Sequence, residues 1–152
     1  MSEADLPDYL PKWISDHVRL YLSDPEKAHL WDASLAGGGA SGIIPTLLLV
    51  TRGRKTGRTI MLPLIYKKVG GNYVVIASRA GAPTHPAWYL NLMDAAESEI
   101  RVGPEILSVR PRVAEGAERE DLWTQLVEVY PPYTDYQAAT SRRIPVVVLE
   151  PV

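Results

Sequence analysis

The chain has 152 residues, 46% of them hydrophobic and 22% charged, which suits one packed domain and excludes a disordered one. Its formal net charge of -2 argues against nucleic-acid binding through bulk charge. It has no cysteine, which excludes disulfides, thiolate nucleophiles and cysteine-zinc sites, and His17, His29 and His85 are too far apart for a local metal motif.

In chain order, the first stretch carries Glu3, Asp5 and Asp8 where a secretory leader has a basic region and an apolar core, so no signal peptide is expected. From Leu10 to Tyr21 the spacing of Leu10, Trp13, Ile14, His17, Val18 and Tyr21 predicts an amphipathic helix, ended by Asp24-Pro25. A short apolar patch at Leu30-Trp31 leads into the glycine run Gly37 to Gly42, read as a connector. Thr46 to Thr51 predicts a buried strand. Thr59 to Lys68 predicts a second, with Pro63 marking an edge or a bulge. Gly70-Gly71 predicts a tight hairpin into a third strand, Asn72 to Ser78. After a small-residue loop, Pro86 opens a short helix that runs through Met93. Strands at Glu99–Val102 and Ile106–Ala114 flank Gly103-Pro104. A helix over Glu118–Tyr130 stops at Pro131-Pro132, a short turn or helix follows at Asp135–Thr140, and Ile144–Leu149 is the last strand.

Strands joined mostly by hairpins require an antiparallel sheet. The expected class is therefore α+β, mainly β, with about six strands curled into a compact barrel and small helices at its side. Nothing resembles a βαβ repeat, so a dinucleotide site of that kind is not expected. The organisation expected is one domain overall, with residues 1–44 as an N-terminal helix and connector and residues 45–152 as the barrel. The longest apolar run, Ile43 to Val50, is far short of the ~20 residues that span a bilayer, so a cytoplasmic protein is expected.

Charge is unevenly spread. Between Asp32 and Asp94 there is no acid but seven cations, Arg52, Arg54, Lys55, Arg58, Lys67, Lys68 and Arg79. Four of them crowd into Arg52 to Arg58. Such a cluster is either a solvated hairpin tip or a loop that binds phosphate or carboxylate through Arg forks and backbone N–H groups. It is not a Walker A loop, because Arg54 precedes Lys55-Thr56.

Acid–base and nucleophilic chemistry find little here. The central region has no carboxylate, no thiol and only His85. Distant Asp or Glu could fold inwards but no spacing points to them, so a reactive group borrowed from a cofactor is the expectation for an enzyme. The segment Ala77 to Asn91 suits that need. Its small residues let a flat ring approach the backbone, and Trp88 and Asn91 share one face of the following helix. Trp88 reads equally as core, and His85 as a plain helix-start residue. Tyr130, Tyr133 and Tyr136 either wall a pocket for a planar substrate or pack a helix end.

Five stretches together resemble the deazaflavin-dependent nitroreductase family of actinobacteria, which has a split β-barrel fold. They are Leu47 to Gly57, Ala77 to Ala82, Pro86 to Leu92, Tyr130 to Gln137 and Arg143 to Pro151. The resemblance implies the coenzyme F-420, an 8-hydroxy-5-deazaflavin with an anionic tail. It implies that Arg54, Lys55, Thr56, Gly57 and Arg58 hold the tail's phosphate. Ile76, Ala77, Ser78, Arg79, Ala87, Trp88 and Asn91 would lie along the deazaflavin, and Ile65, Tyr130, Tyr133 and Tyr136 on the substrate side. Thr59-Ile60 replaces the Pro-Arg common after the basic loop, Ile65 replaces a pocket aromatic, and Arg79 replaces a common Lys.

The expected activity is transfer of a hydride to a quinone, with nitroaromatics or enones as further acceptors and Ser78 and Tyr133 as candidates for polarising the acceptor. The alternatives are a reductase using flavin mononucleotide (FMN) in the same barrel, or a non-catalytic deazaflavin carrier. A peripheral membrane contact would reach a lipid quinone, and no nucleic-acid partner is expected.

Overall fold

The computed structural model describes residues 12–36 and 42–152 of the chain. Helix α1 (Lys12–Ser23) follows from the predicted periodicity: His17, Val18 and Tyr21 fall on one stripe and are buried. The expected residues 10 and 11, and 37–41 of the glycine run, lie outside the described residues. Helix α2 (Pro25–His29) starts at once, with Pro25 in its first turn and the Asp24 carboxylate accepting from the Lys27 N–H at 3.3 Å. Strand β1 (Leu30–Asp32) then pairs antiparallel with Ile43–Pro45 at the start of β2 (Ile43–Arg52).

Strand β2 pairs with β3 (Thr59–Ile65) from Thr46 against Ile65 to Arg52 against Thr59. The chain then turns at Tyr66 into β4 (Lys67–Val69), which pairs instead with β5 (Asn72–Ile76). Strands β6 (Ser98–Val102), β7 (Glu105–Val113) and β8 (Val146–Pro151) fill the space between, so the order across the sheet is β3-β2-β6-β7-β8-β5-β4, antiparallel throughout. β3 and β4 are consecutive in the chain yet sit at opposite edges. The sheet must therefore curl until those edges meet at Tyr66, which makes it a barrel.

Among the described residues, eight strands replace the expected six, for two reasons. β1 is too short to show alternation. The expected strand Thr59 to Lys68 changes partner at Tyr66 and so becomes two strands, with the Tyr66 N–H turned to the Pro45 carbonyl at 3.3 Å.

Alternation along the strands feeds two sets of contacts. Leu47, Leu49, Val75, Ile100, Val109, Val147 and Leu149 converge from five strands into one buried cluster, joined by Trp88 and Leu92 of α3 (Ala87–Met93). Their neighbours Val74, Ile76, Val146 and Val148 pack instead against Leu122 and Leu126 of α4 (Gly116–Val129). Leu48 and Val50 pack under Val18 and Tyr21 of α1. Each such side chain contributes ~1.5–3 kcal/mol on burial, so strands buried on both faces are the main source of stability. The Tyr21 hydroxyl donates to the Thr46 carbonyl at 2.8 Å and accepts from the Gly103 N–H at 3.0 Å, which fixes α1 against the barrel. Among the described residues, no helix is long and apolar enough to cross a membrane.

Candidate active site

The basic loop is closed by its own backbone. Gly53 N–H donates to the Arg58 carbonyl and Gly57 N–H to the Gly53 carbonyl, each at 2.8 Å, with Gly57 at φ +72°. Asn91, buried on α3, accepts at Oδ1 from both the Arg54 N–H (3.1 Å) and the Arg54 guanidinium (2.9 Å). Arg58 N–H turns to Thr56 Oγ1 at 3.2 Å. The amides of Lys55 and Thr56 are left without a partner among the described residues, beside the exposed side chains of Arg54, Lys55 and Arg58. Two free N–H groups and three cations, with no acid in the loop, suit an anionic group.

The loop after β5 is held by a residue that no sequence signal marked. Arg142 donates from Nε to the Ala82 carbonyl (2.8 Å), from Nη2 to the Ser78 carbonyl (2.6 Å), and from Nη1 to the Ala77 carbonyl (3.2 Å) and His85 Nδ1 (3.1 Å). Burial, and then the Arg142 charge, hold the His85 imidazole below its usual pKa, so its neutral ring accepts at Nδ1 and carries its proton on Nε2. Within the clamped loop, Arg79 (φ 45°) and Ala80 (φ 51°) are both left-handed, a conformation costly for any residue with a Cβ. Gly81 follows at φ +80°. A Cβ there would come within 2.6 Å of the Tyr136 carbonyl, so only glycine lets this turn approach α5 (Tyr133–Ala138) so closely. Arg79 also donates to the Thr84 hydroxyl.

Between this loop and the tyrosines lies a cavity of about 440 Å³. Ile76, Ser78, Arg79, Ala80 and Trp88 line it, together with Ile65, Tyr130, Tyr133 and Tyr136. The tyrosines pack edge-on, with Tyr130 and Tyr133 centroids 5.0 Å apart, and the Tyr130 and Tyr136 hydroxyls meet at 3.3 Å. Tyr133 lines the cavity, and its hydroxyl has no hydrogen-bond partner among the described residues. Burial, reinforced by the neighbouring tyrosines, pushes its pKa above the usual phenol value, so it stays protonated and can donate.

The N-terminal segment adds to the lining. Trp13 and Trp31 stack at 5.5 Å and His17 stacks on Trp31 at 5.9 Å, all three bordering the cavity. His17 Nε2 lies 2.9 Å from the Ala28 carbonyl, an obligate acceptor, so the proton sits there and Nδ1 is a lone pair. Burial keeps this imidazole neutral by lowering its pKa.

The predicted residues separate by position. Ile65, Ile76, Ser78, Arg79, Trp88, Tyr130, Tyr133 and Tyr136 line the one cavity. Arg54, Lys55, Thr56, Gly57 and Arg58 form the exposed loop outside it, joined through Asn91 to the helix that carries Trp88. Ala77 and Asn91 are buried without lining the cavity, and Ala87 is exposed at the start of α3. Pro86 caps that helix and does not occupy its first turn. The α1 wall and Arg142 were not anticipated.

A flat, partly apolar ring with an anionic tail fits these surroundings on chemistry alone. The cavity offers aromatic and aliphatic walls near a backbone turn, and the adjoining loop offers unpaired N–H groups and cations. Comparison with known proteins agrees. The haem storage protein HutZ of Vibrio cholerae is 15% identical, with a TM-score of 0.52 over 70% of this chain and 81% of its own, and shares the fold alone. A solved structure described as an F420-H2 dependent reductase is 39% identical, with a TM-score of 0.64 over 70% of this chain and 94% of its own. An F420H(2)-dependent quinone reductase of Mycobacterium tuberculosis is 36% identical over 149 residues, which is 92% of this chain and 97% of that protein. The family described as F420H(2)-dependent quinone reductase matches residues 26–151, and the chain therefore belongs to that family.

Proposed function

We propose that the basic loop and the cavity divide the work of deazaflavin-dependent quinone reduction between them. When bound, the reduced coenzyme supplies a hydride from its C5 carbon. Arg54, Lys55 and Arg58, with the free amides of Lys55 and Thr56, hold the anionic tail, and Asn91 positions Arg54. Ile76, Ser78, Arg79 and Trp88 border the coenzyme side of the cavity, with the loop kept in shape by Arg142. Ile65, Tyr130, Tyr133 and Tyr136 border the acceptor side.

The Tyr133 hydroxyl donates to the acceptor oxygen as negative charge grows there. That interaction strengthens in the transition state and so raises kcat as well as binding. The Ser78 hydroxyl, on a residue that also lines the cavity, is the second candidate donor. Aromatic walls on both sides of the cavity suit planar acceptors, so nitroaromatics and enones compete with quinones. A lipid quinone would be reached by peripheral contact with a membrane.

The observation that carries this reading is the meeting of two separate sequence segments, 76–88 and 130–136, across one cavity of about 440 Å³. Titration followed by tryptophan fluorescence tests it. Tight binding of the deazaflavin coenzyme over FMN, with turnover of a soluble naphthoquinone, is expected. Preference for FMN would make the protein a flavin enzyme, and binding without turnover would make it a carrier.

A further inference from the structure

A second cavity, of about 330 Å³, shares no lining residue with the first. His85, Tyr89, Glu115, Arg119, Arg143 and Pro145 border it. Arg119, on α4, is its unusual feature. The side chain is only 7% exposed, its ring neighbour is Trp123 at 5.5 Å, and one guanidinium nitrogen donates to the Ile144 carbonyl at 2.7 Å. No carboxylate forms an ion pair with it among the described residues. Buried guanidinium groups ordinarily have a counter-ion, because removing the charge from water is costly.

The surroundings deepen the imbalance. Burial lowers the Arg119 pKa and the Arg143 charge lowers it further, with the Glu120 carboxylate opposing both more weakly. The acids facing this pair are Glu115 at the cavity wall and Glu120, whose contact with Arg143 at 3.4 Å is exposed on both sides. The remaining Arg119 N–H groups are not buried without partners, so they open on accessible space. His85 carries its proton on Nε2, because Nδ1 accepts from Arg142. The Tyr89 hydroxyl has no partner among the described residues. Four donor side chains thus border a cavity with one carboxylate.

We propose that this cavity is an anion site for a small carboxylate or phosphate group, anchored by Arg119 and closed over by Arg143. The group comes either from a free small anion or from the acidic tail of the coenzyme. Occupancy would neutralise the Arg119–Arg143 repulsion beside Arg142, which clamps the loop bordering the first cavity.

Amide spectra of the ¹⁵N-labelled protein test this, titrated with inorganic phosphate and with glutarate at constant ionic strength. Saturable shifts are expected at Val113–Arg119 and Arg142–Ile144, separate from any at the basic loop. Arg143→Ala, at an exposed position, should weaken this binding roughly tenfold, the scale of one charge-assisted hydrogen bond. Glu115→Gln removes the opposing carboxylate and should tighten it several-fold. Intact coenzyme and a tail-less deazaflavin separate the sources. If only the intact coenzyme shifts these amides, and phosphate competes with it, the tail is the occupant. If neither does so while phosphate binds, the occupant is a free anion. Shifts confined to the basic loop, or cavity shifts untouched by Arg143→Ala and Glu115→Gln, would overturn the proposal.

Discussion

The basic loop draws its chemistry from seven consecutive residues, Arg52 to Arg58, whereas the aromatic cavity takes its walls from both ends of the chain. In the loop, charge, glycines and free amides are neighbours in sequence, and Asn91 of α3 helps to fix it. In the cavity, Trp13 and His17 face a space shared with residues more than a hundred positions away, Tyr130, Tyr133 and Tyr136. A local, exposed cluster suits an anion whose hold depends on charge and is screened by salt. A composite, partly buried space suits a planar acceptor whose selection depends on shape and one or two donors. Binding of the coenzyme and choice of acceptor should therefore fail independently when mutated.

The largest expected effect strikes the loop after β5, which borders the cavity. Arg142→Met removes bonds to three backbone carbonyls and to His85, leaving groups of the loop after β5 unsatisfied. A stability loss of ~3 kcal/mol or more is expected, read by urea unfolding, with coenzyme affinity falling alongside. Wild-type stability in that variant would show the loop to be self-supporting. Lys55→Ala should act on one region alone. It should weaken coenzyme binding by ~1–3 kcal/mol and lessen its salt dependence, while leaving the pattern of preferred acceptors intact. An affinity indifferent to both the variant and salt would return the loop to a solvated hairpin tip.

The smallest effect is in pH. His17 and His85 both have pKa values below the usual 6.5, chiefly through burial. As pH falls below 6.5 the unfolded chain takes up protons that the folded one resists, so stability falls on the acid side. Melting temperatures between pH 8 and pH 5 should show this decline, and His17→Gln should flatten it. An unchanged profile in that variant would mean that His17 protonates without resistance.

Much of this organisation was legible in the residues, and what was not has physical reasons. The hairpin at Gly70-Gly71, the α3 and α4 segments and the basic loop are encoded locally, by positive-φ glycines, helical periodicity and contiguous charge. Strand β1 escaped because three residues cannot display a period. The break at Tyr66 escaped because it reflects a change of pairing partner, from β2 to β5, which neighbouring residues do not encode. The tyrosines were recognisable as a cluster, but that α1 and Trp31 complete their cavity depends on packing through Tyr21 and Thr46. Arg142 sits in a polar stretch, Ser141-Arg142-Arg143, that reads as surface, while its partners lie 57 to 65 positions earlier.

The separation of the two regions is tested most directly by Tyr133→Phe, which keeps the cavity-lining ring and removes only the hydroxyl. Coenzyme affinity and quinone turnover are measured on the same preparation, at an unchanged melting temperature. The account predicts an affinity within about twofold of wild type and a turnover lower by ~10- to 1000-fold, the range between a modest donor and an oxyanion-hole donor. Loss of affinity and turnover together would place Tyr133 in the coenzyme site, and no change in either would leave the cluster as packing. Both results would contradict the division of labour between loop and cavity.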